Sequence, residues 1–219
     1  MTPVLRQLFK TVFMTTKFIR NKTLVYFLLG IAAFSALAFA SQTNDANTGD
    51  EGPGAIDPIG SKKAFQKVYA VLMSPRCMNC HPSGDIPLQG DDSHLHTQGV
   101  QRGPDGKGLY ALKCANCHQP QNTAGLHMPP GNPNWHLPPA DMKMVFQGKT
   151  PRQLAAQLLD PKRNGGKTKQ QLIDHVTSDS LVLSGWHPGD GRTLPPLAHD
   201  EFARQFKLWI NKGAYLPDK

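Results

Sequence analysis

The longest apolar run in the chain is "TLVYFLLGIAAFSALAFA", residues 23–40, without a single charge. Arg6, Lys10, Lys17, Arg20 and Lys22 precede it with no acid, and "AFAS" at 38–41 closes it with small residues at alternate positions. Basic, apolar, then small is the order of an export signal. Met14 opens a basic segment of ordinary length and reads as the true start. If residues 1–40 stay uncleaved, 23–40 are long enough to anchor in a bilayer, with the basic flank on the cytoplasmic side. Both outcomes predict an exported, periplasmic protein, with membrane contact only through 23–40. Residues 41–60, "SQTNDANTGDEGPGAIDPIG", are polar and read as a flexible leader.

From residue 61 the pattern turns helical. Phe65, Val68, Tyr69 and Leu72 recur at helical spacing, and Pro75 ends that helix. Residues 82–106, full of Gly, Pro and Asp, predict a loop, and 107–118 a short helix. The five prolines of 125–139 exclude regular structure. Thr150-Pro151 predicts an N-cap with proline at the first helical position, for a helix reaching Asp160. Thr168 caps a helix over 169–176. Asp200 caps the last, with Phe202, Phe206, Trp209 and Ile210 as its buried stripe and Gly213 as its stop. The fold class that follows is mainly α with long Pro/Gly-rich loops and little or no sheet.

Composition changes this picture in one respect. After residue 40 the chain holds 19 Gly and 18 Pro, and few apolar side chains are left for a core. The formal charge of +8 shrinks as well. Five of 24 basic residues lie in the first 22 positions and all 16 acids after residue 40, which leaves 19 against 16. A basic nucleic-acid surface is therefore not predicted.

All four cysteines fall in two copies of one pattern, "CMNCH" at 77–81 and "CANCH" at 114–118. Each pair is too tight to staple a fold as a disulfide. The 33 residues between Cys80 and Cys114 exceed a zinc-ribbon spacer of about 15–20 residues. No βαβ pattern accompanies them to suggest a thioredoxin-like pair. Cys-x-x-Cys-His is the attachment signature of c-type haem: the thiols take the two vinyl groups and the histidine takes the iron. The reading is two haems, one on Cys77, Cys80 and His81, the other on Cys114, Cys117 and His118. Residues 61–219 then form a single dihaem domain, wrapped around two large apolar groups that supply the missing core.

A pure electron carrier needs a sixth ligand on each iron. His96, in the loop between the motifs, and His175, on the inward side of its helix, are the first candidates. His94, His136, Met128 and Met142 are alternatives, and His127 and Met144 complete the set. His187 and His199 read as exposed. Trp135, Trp186 and Trp209 read as packing against a haem edge. Arg102 and Arg192 could neutralise propionates, although solvated charge is the plainer reading.

The stretch "GLYALKCANCHQ", a Pro-rich loop with a Met and an aromatic C-terminal helix resemble a class I cytochrome c. Over nearly all of 65–216 the chain resembles a family of exported dihaem cytochromes described as isoquinoline 1-oxidoreductase subunits. The matching stretches are "CMNCHPSGDIPLQGDDSHLH", "VQRGPDGKG", "CANCH", "GNPNWHLPPADM", "DPKRNGGKT" and "LVLSGWHPGDGR". Ala155 and Tyr215-Leu216 stand where that family often has cysteines, so a disulfide there is absent. The resemblance implies a non-enzymatic electron-transfer protein. Its donor would be a dehydrogenase, with a molybdenum hydroxylase suggested by the family's description, and its acceptor a cytochrome or oxidase. A dihaem peroxidase and a membrane-anchored quinol-oxidising cytochrome are the alternatives. The first normally has its motifs farther apart; the second usually has more haems.

Overall fold

A computed structural model describes residues 55–218. The expected signal or anchor at 1–40 and most of the expected leader lie outside the described residues. Within them the protein is mainly helical, with six helices and two small two-stranded sheets. The helices are α1 (Pro58–Leu72), α2 (Pro75–Met78), α3 (Pro151–Leu159), α4 (Lys169–Ser178), α5 (Ser180–Leu183) and α6 (His199–Asn211). None is long and apolar enough to cross a membrane.

The end of the expected leader is helical. Asp57 caps α1 by accepting from Gly60 N at 2.8 Å, Pro58 occupies the first turn, and Lys212 of the C-terminal segment pairs with Asp57 at 3.1 Å. Asp-Pro before an apolar-periodic run is itself a helix start. Pro75 does more than stop α1: it opens α2, which carries Cys77. Residues 107–118 are not a helix. Gly108–Leu109 (β3) pairs with Leu112–Lys113 (β4) in a tight hairpin, and a 3₁₀ turn over Cys114–Asn116 follows. Gly108 at φ 93° and Tyr110 at φ 52° adopt left-handed backbone that breaks a helix and turns a hairpin. A second pair, Leu88–Gln89 (β1) with His94–Leu95 (β2), lies inside the loop expected over 82–106.

Thr150 and Thr168 form reciprocal capping boxes with Gln153 and Gln171, as the sequence predicts for their positions. Ala198, not Asp200, is the N-cap of α6. Asp200 and Glu201 sit in its first turn, where carboxylates favour the helix dipole.

The helical core forms where α6 packs along α1, with α3 and α4 closing it. Phe65 and Trp209 meet at 4.5 Å between ring centres and Phe206 and Trp209 at 5.3 Å, edge to face. Trp209 thus belongs to this core, and its indole N–H donates to Tyr215 O. Trp186 packs on Phe202. Fully buried Ser61 joins the two long helices: its hydroxyl donates to Trp209 O at 2.9 Å and accepts from Tyr215 N at 3.0 Å.

Replacing Ser61 by Ala leaves Tyr215 N without its acceptor, while Trp209 O keeps only the Ala214 N–H. The expected loss is about 2 kcal/mol of stability, read from chemical denaturation against the parent chain.

Candidate functional site

The two Cys-x-x-Cys-His segments open onto one cavity of about 980 Å³, lined by all four cysteines and by both His81 and His118. Known ligand pockets run from about 300 to 1,000 Å³, so this one is large. Each segment is a tight turn: Cys80 N bonds Cys77 O and His81 N bonds Met78 O, while Cys117 N and His118 N both bond Cys114 O. The motifs are neighbours. The Cys114 thiol is near enough to Cys80 to add to the upward push on its pKa.

No disulfide forms. Burial pushes the Cys77 thiol up to about 12 and that of Cys80 to about 11, and raises Cys114 as well. At neutral pH these are protonated thiols, the opposite of a reactive redox dithiol. Among the described residues, no three His, Cys, Asp or Glu side chains converge as a metal-ion cage, so the four sulfurs do not assemble a zinc-ribbon site.

The histidines are prepared identically by different parts of the chain. His81 Nδ1 lies 2.7 Å from Met144 O, and His118 Nδ1 lies 2.7 Å from Pro130 O. A carbonyl only accepts, so Nδ1 carries the hydrogen in both rings and Nε2 is the bare nitrogen. Each ring is also stacked: His81 on Phe146 at 3.9 Å and 10°, His118 on Trp135 at 4.1 Å and 7°. Burial holds His81 down to about 4 and lowers His118, so both are neutral at pH 7. An oriented, neutral imidazole with a fixed tautomer is what an iron ligand requires.

The carbonyl acceptors come from loops. Met144 sits at φ 48°, and Phe146 N returns to His81 O at 2.9 Å, so this segment clasps the first motif twice. Around Pro130, Gly131 packs backbone to backbone on 119–122: a Cβ there would stand 2.1 Å from Gln121 O. Only glycine allows that approach.

Of the sequence candidates, His96, His175, His127, His136, Met142 and Met144 line the cavity; His94 and Met128 do not. His94 is exposed and paired with Asp92 at 2.6 Å, and Met128 is 42% exposed. His96 stands by His118, 6.5 Å between ring centres. Its Nδ1 is buried without a partner, and burial lowers its pKa. His175 is near enough to His81 to act on its titration, and its own Nδ1 meets Asp179 at 3.0 Å. His187 is exposed, whereas His199 is half-buried against Trp186 and bonds Val176 O.

Arg102 corrects the expectation of solvated charge. It is 1% exposed and donates to Pro138 O and Gly84 O, 3.6 Å from Asp85. It ties together the loops that roof the cavity. Arg76, which sequence reasoning did not single out, and Arg192 both line the cavity, with Asp91 under the influence of both. With Lys113 and Lys167, which also line it, they bring positive charge to the cavity, Arg76 being paired with Asp91 at 2.6 Å. No sequence signal separated Arg76, Phe146 or the Met144 carbonyl from ordinary loop residues.

Comparison of the chain with protein-family models, with curated proteins and with solved structures gave no match.

Two outcomes follow. Arg102→Met should lose about 2 kcal/mol, because Pro138 O and Gly84 O lose the donor that joins their loops; thermal unfolding measures it. Acid should destabilise the fold between pH 6.5 and 4. In that window the unfolded chain protonates imidazoles that His81 and its buried neighbours keep neutral in the fold. A melting temperature that stays level over that range would contradict this.

Proposed function

We propose that the chain is an exported dihaem c-type cytochrome that carries single electrons. The observation that supports it best is the duplicated constellation in one cavity. Two Cys-x-x-Cys-His turns each present a neutral histidine whose Nδ1 is held by a carbonyl and whose ring is stacked on an aromatic. The residues present fit haem. The apolar cavity walls, the protonated thiols beside them and the buried unpartnered Nδ1 of His96 all call for a large, flat, metal-bearing group.

A c-type haem, when bound, supplies a one-electron ferric/ferrous couple. Cys77 and Cys80 would anchor one haem and Cys114 and Cys117 the other through thioethers. His81 and His118 would offer Nε2 to the irons. Phe146 and Trp135 keep those rings from rotating, and the Met144 and Pro130 carbonyls raise their donor strength. Arg76 and Arg192 would balance propionate charge. The surrounding apolar walls exclude water and so set the potentials. In this reading the protein accepts an electron from a dehydrogenase and delivers it to a cytochrome or oxidase. A molybdenum hydroxylase as donor rests on the family resemblance alone.

The full chain, produced in a host that matures c-type cytochromes, should gain the mass of two haems and show a reducible Soret spectrum. Cys77→Ala/Cys80→Ala should remove one haem and Cys114→Ala/Cys117→Ala the other. A colourless product with the bare polypeptide mass overturns the proposal.

A further inference from the structure

In sequence, His96 lies in the loop between the motifs and could serve either iron. We infer that His96 is the second axial ligand of the iron held by His118, although His96 is carried by a loop built on the first motif. The inference rests on the dihaem reading above and goes beyond it by pairing particular imidazoles.

Three observations carry it. The first is distance. Two imidazoles on opposite sides of one metal, each with nitrogen about 2 Å from it, have ring centres roughly 6 Å apart. His96 and His118 stand 6.5 Å apart. Their interplanar angle of 63° is compatible, because trans ligands rotate freely about the shared axis. The second is position: His96 lines the same cavity as His118. His94 has its partner in Asp92 and turns away from the cavity. The third is the other histidine on the cavity: His175, from α4 beyond the second motif, lines it with Nδ1 held by Asp179 at 3.0 Å, and is available to the iron of His81.

The His96 loop is held from the first motif throughout. Leu88 N bonds Asn79 O at 3.0 Å, Asn79 Nδ2 bonds Gly90 O at 2.9 Å, and Arg76 bonds Asp91 at 2.6 Å. His96 N then bonds Pro87 O at 2.9 Å. Asn79 and Arg76 flank or lie within the first haem-attachment turn. The coordination of one iron is therefore set by the backbone that clasps the other, and the two sites form one interlocked unit.

The test uses the full matured chain with both haems. His96→Gly should retain two haems by mass while one of them turns high-spin and binds carbon monoxide. Added imidazole should restore the low-spin spectrum. Cys117→Ala in the same background leaves the second haem on one thioether and shifts its α-band; the shifted band should be the one that responds to carbon monoxide. His96→Met, which keeps a ligand and the bulk, should raise the potential of one haem only. Two haems that both stay low-spin in His96→Gly overturn the inference and leave the dihaem reading standing. So does a carbon monoxide response in the unshifted band. A parent chain without haem overturns the reading, and the inference with it.

Discussion

The hydrogen bond from an imidazole Nδ1 to a backbone carbonyl, made once at His81 and once at His118, is the constraint around which the loops are arranged. It sets the tautomer, aims the ring and leaves one nitrogen bare. To supply those carbonyls the chain must bring residue 144 to residue 81 and residue 130 to residue 118. The left-handed turn at Met144 and the glycine-only approach at Gly131 accompany that delivery. Phe146 and Trp135 arrive with the same two segments and stack on the rings they serve.

The rest of the architecture divides the work. A compact helical layer, α1 and α6 sealed by Phe65, Phe206, Trp209 and Ser61, forms a conventional apolar core. The long Pro- and Gly-rich loops build no core of their own and instead roof the cavity. Arg102 makes this possible at low apolar content. A buried guanidinium donates to Pro138 O and Gly84 O together and so joins their two loops. Phe202 and Phe206 lie in the helical core and also line the cavity, so the two halves share a wall.

Local signals in the sequence were reliable where the chain closes on itself within a few residues. The N-caps at Thr150 and Thr168 and the apolar stripe of α6 were legible because capping and amphipathicity are short-range. The misreadings were local too. At 107–118 the helical spacing concealed two residues with positive φ, and at 58–60 a polar composition concealed an Asp-Pro helix start.

Two repeats of Cys-x-x-Cys-His by themselves singled out the six side chains on which the proposed chemistry rests, because each copy lies within five consecutive residues. The low apolar content of the segments outside the helices was likewise legible in composition, whereas the helices still assemble an apolar core that composition did not predict. Tertiary structure alone decided that both motifs share a cavity, which carbonyl orients each histidine, that Arg102 is buried, and that His96 lies beside His118 and not His81. Those relations join residues 12 to 63 positions apart or cross between the two motifs. Loop closure over such spans is governed by backbone turns and buried polar bonds, and neither leaves a periodic trace in the chain.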